Sequence, residues 1–201
     1  MLKRLFDIFL SSIGIIGSSP LWLLFSSAII LEDGLPVFYL QERVGKGGRI
    51  FKGIKFRSMI KDAEKDTGPV QAVENDPRVT KVGRILRATA MDELPQLVNI
   101  FKGDMSFVGP RALRPKEKEV RGNPDEKEIE KIPGFQERLA VRPGLTGLAQ
   151  VYLPGEALRS EKFRYDLQYI KNQSFLLDLK LIFLSFWITF RGKWESRERK
   201  V

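Results

Sequence analysis

Residues 5–31, LFDIFLSSIGIIGSSPLWLLFSSAIIL, form an apolar run with one charge, Asp7, and a break near its middle at Ser18-Ser19-Pro20. The run is long enough to cross a bilayer, for which a helix needs roughly 20 residues. It is too long for the apolar core of a signal peptide, and Glu32-Asp33-Gly34 after it lacks a small-residue cleavage pattern. Pro20 has no N–H, and its ring crowds the preceding turn. Hydroxyls of Ser18 and Ser19 are suited to take over the backbone groups so freed, which lets a break persist in lipid. Two shapes satisfy these constraints: a straight spanning helix with a mild kink, or a re-entrant helix–break–helix that returns to the face it entered. Charge favours the second. Lys3 and Arg4 precede the run, and residues 43–61 carry seven basic side chains and no acidic one, so both flanks suit the cytoplasmic face.

The rest of the composition narrows the chemistry. The 201 residues carry a formal net charge of +9, which suits anionic partners such as acidic headgroups or phosphorylated small molecules. Neither cysteine nor histidine occurs. Disulfides, thiol catalysis, His-based triads and ordinary structural zinc are thereby excluded. Acid–base and nucleophilic work falls to carboxylates, lysine, tyrosine or hydroxyls, and a bound metal should be a hard cation held by oxygen, Mg²⁺ first.

Downstream, RIFKGIKFRSM follows the turn-like GKGG and has strand composition. Alternation puts Ile54 and Phe56 on one face and Lys55 with Arg57 on the other, either a basic ledge or a solvated edge. GKGG lacks the spacing of a phosphate-binding loop. A turn at Asp76-Pro77 leads to a short basic helix with Arg84 and Arg87. Residues 114–134 are a mixed-charge run expected to form an exposed helix–turn–helix excursion. VRPGLTGLAQV is turn-rich and sets Arg142 beside Gly144, Thr146 and Gly147. SEKFRYDLQYIKN has helical spacing, with Phe163, Leu167 and Ile170 on one stripe. The run 175–190 is apolar but interrupted by Asp178 and Lys180, a poor spanning helix. With Trp187, Trp194 and a basic tail it suits an amphipathic helix at a headgroup surface, or else a core helix.

TAMDELPQL, residues 89–97, sets two adjacent carboxylates, Asp92 and Glu93, among arginines. Asp92 as an N-cap with Glu93, Leu94 and Pro95 as the first helical turn is one account. The surroundings favour another: Arg87 precedes the pair, GDMSFVGPR with Arg111 follows it, and Lys55, Arg57 and Arg142 are available to converge. Such a site binds a diphosphate and still offers a carboxylate nucleophile or metal ligand. Adjacent helical positions point roughly 100° apart, so the pair does not face itself across a sugar as glycosidase acids do.

The broken N-terminal segment with SSP, IFKGIKFRSM, DPRVTKVGRILRATAMDELPQLVNIFKGDMSFVGPR, VRPGLTGLAQV and KFRYDLQYIKNQSFLLDLK together resemble the bacterial sugar transferases, specifically the small monotopic polyprenyl-phosphate phosphoglycosyl transferases. The resemblance implies transfer of a phospho-sugar from a UDP-sugar to a polyprenol phosphate such as undecaprenyl phosphate. The route it implies runs through a covalent aspartyl phospho-sugar, with release of UMP and a requirement for Mg²⁺, as the initiating step of a bacterial glycoconjugate. By position, Asp92 is the implied nucleophile and Glu93 its partner in binding Mg²⁺. Arg87 and Arg111 match phosphate-binding arginines, Asp166 matches a further acidic site position, and Ser19-Pro20 matches the helix break. Lys55, Arg57 and Arg142 remain candidates for phosphate or substrate from the residue reading.

The fold expected is α+β, mainly α: a re-entrant membrane helix over residues 1–34, then a catalytic domain over 35–201. That domain would lie on the cytoplasmic face of the bacterial inner membrane, with interfacial helices and a small β element around the site. Phospholipid is an expected partner and nucleic acid is not. The segment QVYLPGEALRS departs from the family pattern after GLAQV, and GPRA stands where relatives have GPRP; the first departure bears on donor choice. Larger relatives carry upstream transmembrane helices, so the chain resembles the minimal catalytic form. Two other functions compete: a non-catalytic basic module for membrane surfaces, and a Mg²⁺-dependent phosphohydrolase of lipid diphosphates.

Overall fold

In the computed structural model the apolar run is two helices, α1 (Leu2–Gly17) and α2 (Ser19–Asp33), bent by 57° at Ser18. Pro20 sits in the first turn of α2 and cannot donate to Ile16; the Ser19 hydroxyl donates there instead, at 2.8 Å. The Ser18 hydroxyl accepts from Trp22 Nε1 at 2.9 Å. Ser19 thus carries the break as expected, whereas the Ser18 hydroxyl serves the Trp22 side chain and no backbone carbonyl among the described residues. Among the described residues no single helix is long and apolar enough to cross a membrane; the bent pair passes that test of length and composition only together. The structure describes residues 2–63, 65, 76–119, 127–155, 157–192, 194 and 200.

The chain continues as β1 (Phe38–Val44), β2 (Ile50–Phe56), α3 (Lys81–Ala88), α4 (Gln96–Lys102), β3 (Ser106–Val108), β4 (Lys118–Glu119) and β5 (Lys127–Glu128). It closes with α5 (Phe135–Arg138), β6 (Gly144–Thr146), α6 (Leu148–Tyr152), α7 (Arg159–Lys171) and α8 (Phe175–Phe190). The result is mainly helical with three two-stranded sheets: β1–β2 antiparallel, β3–β6 parallel and β4–β5 antiparallel. The expected strand at RIFKGIKF is β2. Its hairpin partner β1 joins it through Gly47 and Gly48, whose φ of 65° and 80° suit residues without a Cβ. The excursion at 114–134 is not helix–turn–helix: Lys118 and Glu119 pair with Glu128 and Lys127, and residues 120–126 lie outside the described residues.

Both ends of the helix pair are fastened to the rest of the chain. Asp7 is buried and accepts from the Ser106 hydroxyl at 3.0 Å and Phe107 N at 3.1 Å, docking α1 on β3. Lys3 pairs with Asp178 of α8 at 2.5 Å, and Arg4 donates to the Ile100 and Phe101 carbonyls at the end of α4. At the other end Glu32 accepts from Lys81 N and Val82 N of α3. Lys3 and Arg4, read as topology signals, therefore also hold the fold.

On α8, Asp178, Leu181 and Ile188 are buried, while Leu176, Phe183, Phe186, Trp187 and Phe190 are at least half exposed. One face packs and the other presents an apolar surface interrupted by exposed Lys180.

The two ends of the parallel pair meet where Gly109, Gly144 and Gly147 leave no room for side chains. A Cβ on Gly144 would stand 2.1 Å from Gly109 N and 2.3 Å from Thr146 O. Because these are backbone atoms, Gly144→Ala is expected to lower stability by about 3 kcal/mol. A wild-type thermal midpoint for that variant in detergent would contradict this close approach.

Candidate active site

A residue with left-handed backbone turns the chain into the site. After α3 ends at Thr89, Ala90 adopts φ 55°, ψ 21°. For a residue with a Cβ this costs on the order of 1 kcal/mol. The reversal places Met91–Glu93 in a separate 3₁₀ turn ahead of α4, whose N-cap is Pro95. Asp92 and Glu93 are therefore not caps of α4, and the capping account gives way. Among the described residues Asp92 makes no hydrogen bond; its nearest charged contact is Lys55 Nζ at 3.7 Å.

Glu93 is held firmly. One oxygen, Oε1, accepts from Lys55 Nζ at 2.5 Å and from Arg111 Nη2 at 2.8 Å. Burial pushes both carboxyls up. For Glu93 the Arg111 guanidinium and Lys55 ammonium overcome burial and hold it well below the usual carboxylate range. For Asp92 burial wins: Lys55, Arg87 and Arg111 pull down, the Glu93 charge adds to the rise, and its carboxyl stands above its ordinary value. Two neighbouring acids thus differ in character because only one is clamped.

The dyad lines a cavity of about 1590 Å³. Lys55, Arg57, Arg87, Arg111 and Asp166 of the sequence candidates border it, and Arg142 does not. Arg142 Nε donates to Gly103 O at 2.8 Å, so it serves the end of α4. Arg57 borders the cavity but its polar contacts lie elsewhere. It pairs with Asp33 at 3.1 Å and donates to the Asp33 and Gly34 carbonyls, holding the end of α2; its Nη1 is buried with no partner among the described residues. β2 ends at Phe56, so the alternation that put Lys55 and Arg57 on one face stops between them.

Asp166, on the wall of the same cavity, makes its polar contacts with Arg138 and not with the dyad. It pairs with Arg138 through Nε at 3.0 Å and Nη2 at 2.9 Å, and that Nη2 also donates to Arg111 O at 2.6 Å. Asp166 thereby orients Arg138, which fixes the backbone that presents Arg111. The sequence reading missed Arg138. It also missed Arg43, which donates to Ala112 O at 2.9 Å and whose guanidinium burial brings down to about 10. Both act through backbone contacts with residues far away in sequence. The basic tail was expected at a membrane surface. Of it, Lys200 turns inward: it borders the cavity, donates to Gln150 O at 3.0 Å, stands over the Trp194 ring and is lowered to about 8 by burial and nearby Arg111. Residues 195–199 and 201 lie outside the described residues.

The same cavity is also lined by apolar residues, Leu10, Gly14 and Leu21 of the helix pair, Leu97 of α4 and Phe38 of β1. One chamber thus joins a cationic, carboxylate-bearing end to an apolar flank at the helix break.

The family model of the bacterial sugar transferases matches residues 1–192. The chain belongs to that family. It is 43% identical over 196 residues to a UDP-glucose:undecaprenyl-phosphate glucose-1-phosphate transferase of Klebsiella pneumoniae, a match covering 95% of this chain and 40% of that protein. With the UDP-N-acetylgalactosamine-undecaprenyl-phosphate N-acetylgalactosaminephosphotransferase of Aeromonas hydrophila, identity is 43% over 186 residues, 90% of this chain and 42% of that one. The exopolysaccharide production protein PSS of Rhizobium leguminosarum bv. phaseoli is 42% identical over 192 residues, 91% of this chain and 92% of that one. The chain therefore spans about two fifths of the first two relatives and nearly the whole of the third.

The buried Asp166–Arg138 pair offers a stability test. Asp166→Ala leaves a guanidinium buried and unpaired and should cost about 3–5 kcal/mol, whereas Asp166→Leu with Arg138→Met should recover most of it. The comparison is read from thermal midpoints in detergent. Equal losses in the two variants would mean the pair is not the buried unit described.

Proposed function

We propose that the protein transfers a phospho-sugar from a UDP-sugar to a polyprenol phosphate, as the initiating step of a bacterial glycoconjugate. The observation that carries this reading is the division of labour in the dyad. Glu93 is clamped by Lys55 and Arg111, while Asp92 beside it is buried, unbonded and more basic than an ordinary aspartate. A carboxylate in that state suits nucleophilic attack at phosphorus.

In the proposed reaction an Asp92 oxygen attacks the phosphorus that bears the sugar. An aspartyl phospho-sugar forms, the bond to the bridging oxygen breaks, and UMP leaves with that oxygen. A phosphate oxygen of the polyprenol then attacks the same phosphorus, forming the lipid diphosphate sugar and releasing the Asp92 carboxylate. Arg87 and Arg111 neutralise the diphosphate and the departing nucleotide phosphate. The carboxylates also fit Mg²⁺: Asp92 is unbonded, and Glu93 Oε2 takes no hydrogen bond among the described residues. Described residues hold no group of three or more acidic ligands, which suits a cation that keeps waters and substrate phosphates. When bound there, Mg²⁺ supplies charge neutralisation at the phosphoryl oxygens.

The acceptor's apolar tail is accommodated by the Leu10, Leu21 and Phe38 wall, which leads from the helix break to the dyad. This favours a re-entrant anchor for residues 1–34 and a membrane-surface catalytic domain for 35–201, on the cytoplasmic face of the inner membrane. Three features support that topology. Both ends of the helix pair are tied to one domain, α1 is roughly 24 Å long against a hydrocarbon core of about 30 Å, and the apolar face of α8 is available to the headgroup plane.

The test is UMP release from a panel of UDP-sugars with Mg²⁺, detergent and undecaprenyl phosphate. One donor should be turned over, and Asp92→Asn should reduce the rate by at least about 10³-fold while membrane association persists. EDTA should abolish release and Mg²⁺ restore it. Appreciable turnover by Asp92→Asn would remove Asp92 as nucleophile, free sugar phosphate as product would indicate hydrolysis, and silence across the panel would favour the non-catalytic module.

Topology is tested separately, in a chain that has no native cysteine. Leu2→Cys and Leu35→Cys should label from the same face of the membrane. Adding Pro20→Ala, which restores an amide at the break, should move part of the population to opposite-face labelling. Opposite-face labelling without that change would exclude the hairpin.

A further inference from the structure

The bent helix pair does more in this fold than hold it to a membrane. Its two ends grip the two segments that carry the arginines flanking the dyad. At one end, buried Asp7 accepts from the Ser106 hydroxyl and Phe107 N of β3 through Oδ1. Only Val108, Gly109 and Pro110 separate that grip from Arg111, which holds Glu93. At the other end, Glu32 reaches the start of α3 through Oε1 to Lys81 N at 2.7 Å and Oε2 to Val82 N at 2.8 Å. Arg87 is borne on the last turn of that helix and borders the cavity.

The start of α3 shows how much depends on Glu32. A helix leaves four N-terminal N–H groups without partners of its own. Here Thr80 N donates to Ser58 O, Gly83 N donates to the Thr80 hydroxyl, and Glu32 takes the other two. Half of the cap therefore comes from a membrane segment about 50 residues upstream. Gly83 seats the same turn tightly, since a Cβ there would stand 2.0 Å from Ser58 O. Ile29 of α2, Phe56 of β2 and Leu86 of α3 form one buried cluster under the joint.

We infer that the bent helix pair is a bracket for the active-site arginines, with Asp7 and Glu32 as positioning residues: Asp7 sets the strand leading to Arg111, and Glu32 sets the helix bearing Arg87. The inference rests on the proposed function in taking those arginines to bind the phosphates. Its leverage is geometric. From Lys81 to Arg87 the helix axis runs roughly 9 Å, so a 10° swing at its start moves Arg87 by about 1.6 Å. Misplacement of ~1 Å at a reacting centre can cost on the order of 10²-fold in rate. The angle at Ser18 fixes the separation of the two grips, so the bend that suits the membrane also spaces the arginines.

The test is a pair of double-mutant cycles on the full chain in lipid nanodiscs. Glu32→Ala should lower kcat about tenfold with membrane association unchanged, and Glu32→Gln, which keeps one acceptor, should recover part of it. The loss should largely vanish in an Arg87→Lys background and persist in full in an Arg111→Lys background. Asp7→Ala should show the opposite pattern, with Asp7→Asn rescuing because Oδ1 remains. If Asp7→Ala fails to fold, the Glu32 cycle on its exposed carboxylate decides alone. Equal losses in both backgrounds, or none, would overturn the bracket.

Hydrogen exchange gives a readout that does not need turnover. Glu32→Ala should speed exchange along α3 as far as Arg87 and leave β3 unchanged, and exchange confined to Lys81 and Val82 would overturn the mechanical link. A wild type that turns over no nucleotide sugar would defeat the proposed function. The exchange result would then still decide whether Glu32 sets α3.

Discussion

Glu93 Oε1 accepts from Lys55 and Arg111 together, and the electrostatics of the cavity follow from that one oxygen. Two carboxylates adjacent in sequence and buried in one wall would repel if both were ionised without compensation. Pairing one with an ammonium and a guanidinium lowers its proton affinity and leaves the other with the higher proton affinity of the two. The same clamp joins three parts of the chain: Lys55 from β2, the 3₁₀ turn of Met91–Glu93, and Arg111 after β3. Loss of Glu93 would release Lys55 toward Asp92 and free the Arg111 side chain. Its role is electrostatic and architectural at once.

Around this clamp the fold is a set of backbone supports for charged side chains. Arg138 holds the Arg111 carbonyl and is held by Asp166; Arg43 holds the Ala112 carbonyl. Arg4 and Arg142 take the last carbonyls of α4, the helix that follows the dyad. An arginine fork suits such work because it offers several donors in a fixed plane. The surplus of positive charge in this chain is therefore partly internal structure, and only part of it is available to an anionic ligand.

That distinction marks what was legible in the sequence. The broken apolar run, the strand at RIFKGIKF, the basic helix before the dyad and the helix carrying Phe163 all follow from local rules of spacing and composition. So do Asp92, Glu93, Lys55, Arg87 and Arg111 as residues of one cavity, since the dyad and its arginines lie close together in the chain. Arg142 and Arg57 looked equally eligible because a sequence shows charge but not its partner. Their partners are carbonyls at helix ends, invisible to residue type. Arg138 carried no local signal at all, because its value lies in reaching Arg111 O and Asp166 across 27 and 28 residues. The mixed-charge run at 114–134 misled for a related reason. Mixed charge reads as an exposed helix face, yet it fixes no period, and the backbone at 118–119 and 127–128 pairs as a two-stranded ladder instead.

Local rules fail most where the cavity is. Ala90 takes a left-handed conformation that glycine or asparagine would adopt more cheaply, Asp92 is buried without a hydrogen bond, and Arg57 buries an unpaired N–H. The Ala90 conformation and the Arg57 N–H are each unfavourable in isolation, by about a kilocalorie or more per mole on general grounds. Gln150, also on the cavity wall, buries an Oε1 with no partner among the described residues, whereas the buried acids away from the dyad, Asp7, Asp166 and Asp178, all have partners. A core selected for stability alone would have clamped both carboxylates or replaced one. The Asp92 carboxylate, which borders the cavity with Lys55 Nζ at 3.7 Å as its nearest charge, keeps acceptor capacity free on the cavity side. The helix bracket belongs to the same economy, because the neighbours of an unsatisfied group must be held rigidly from outside if that group is to stay poised.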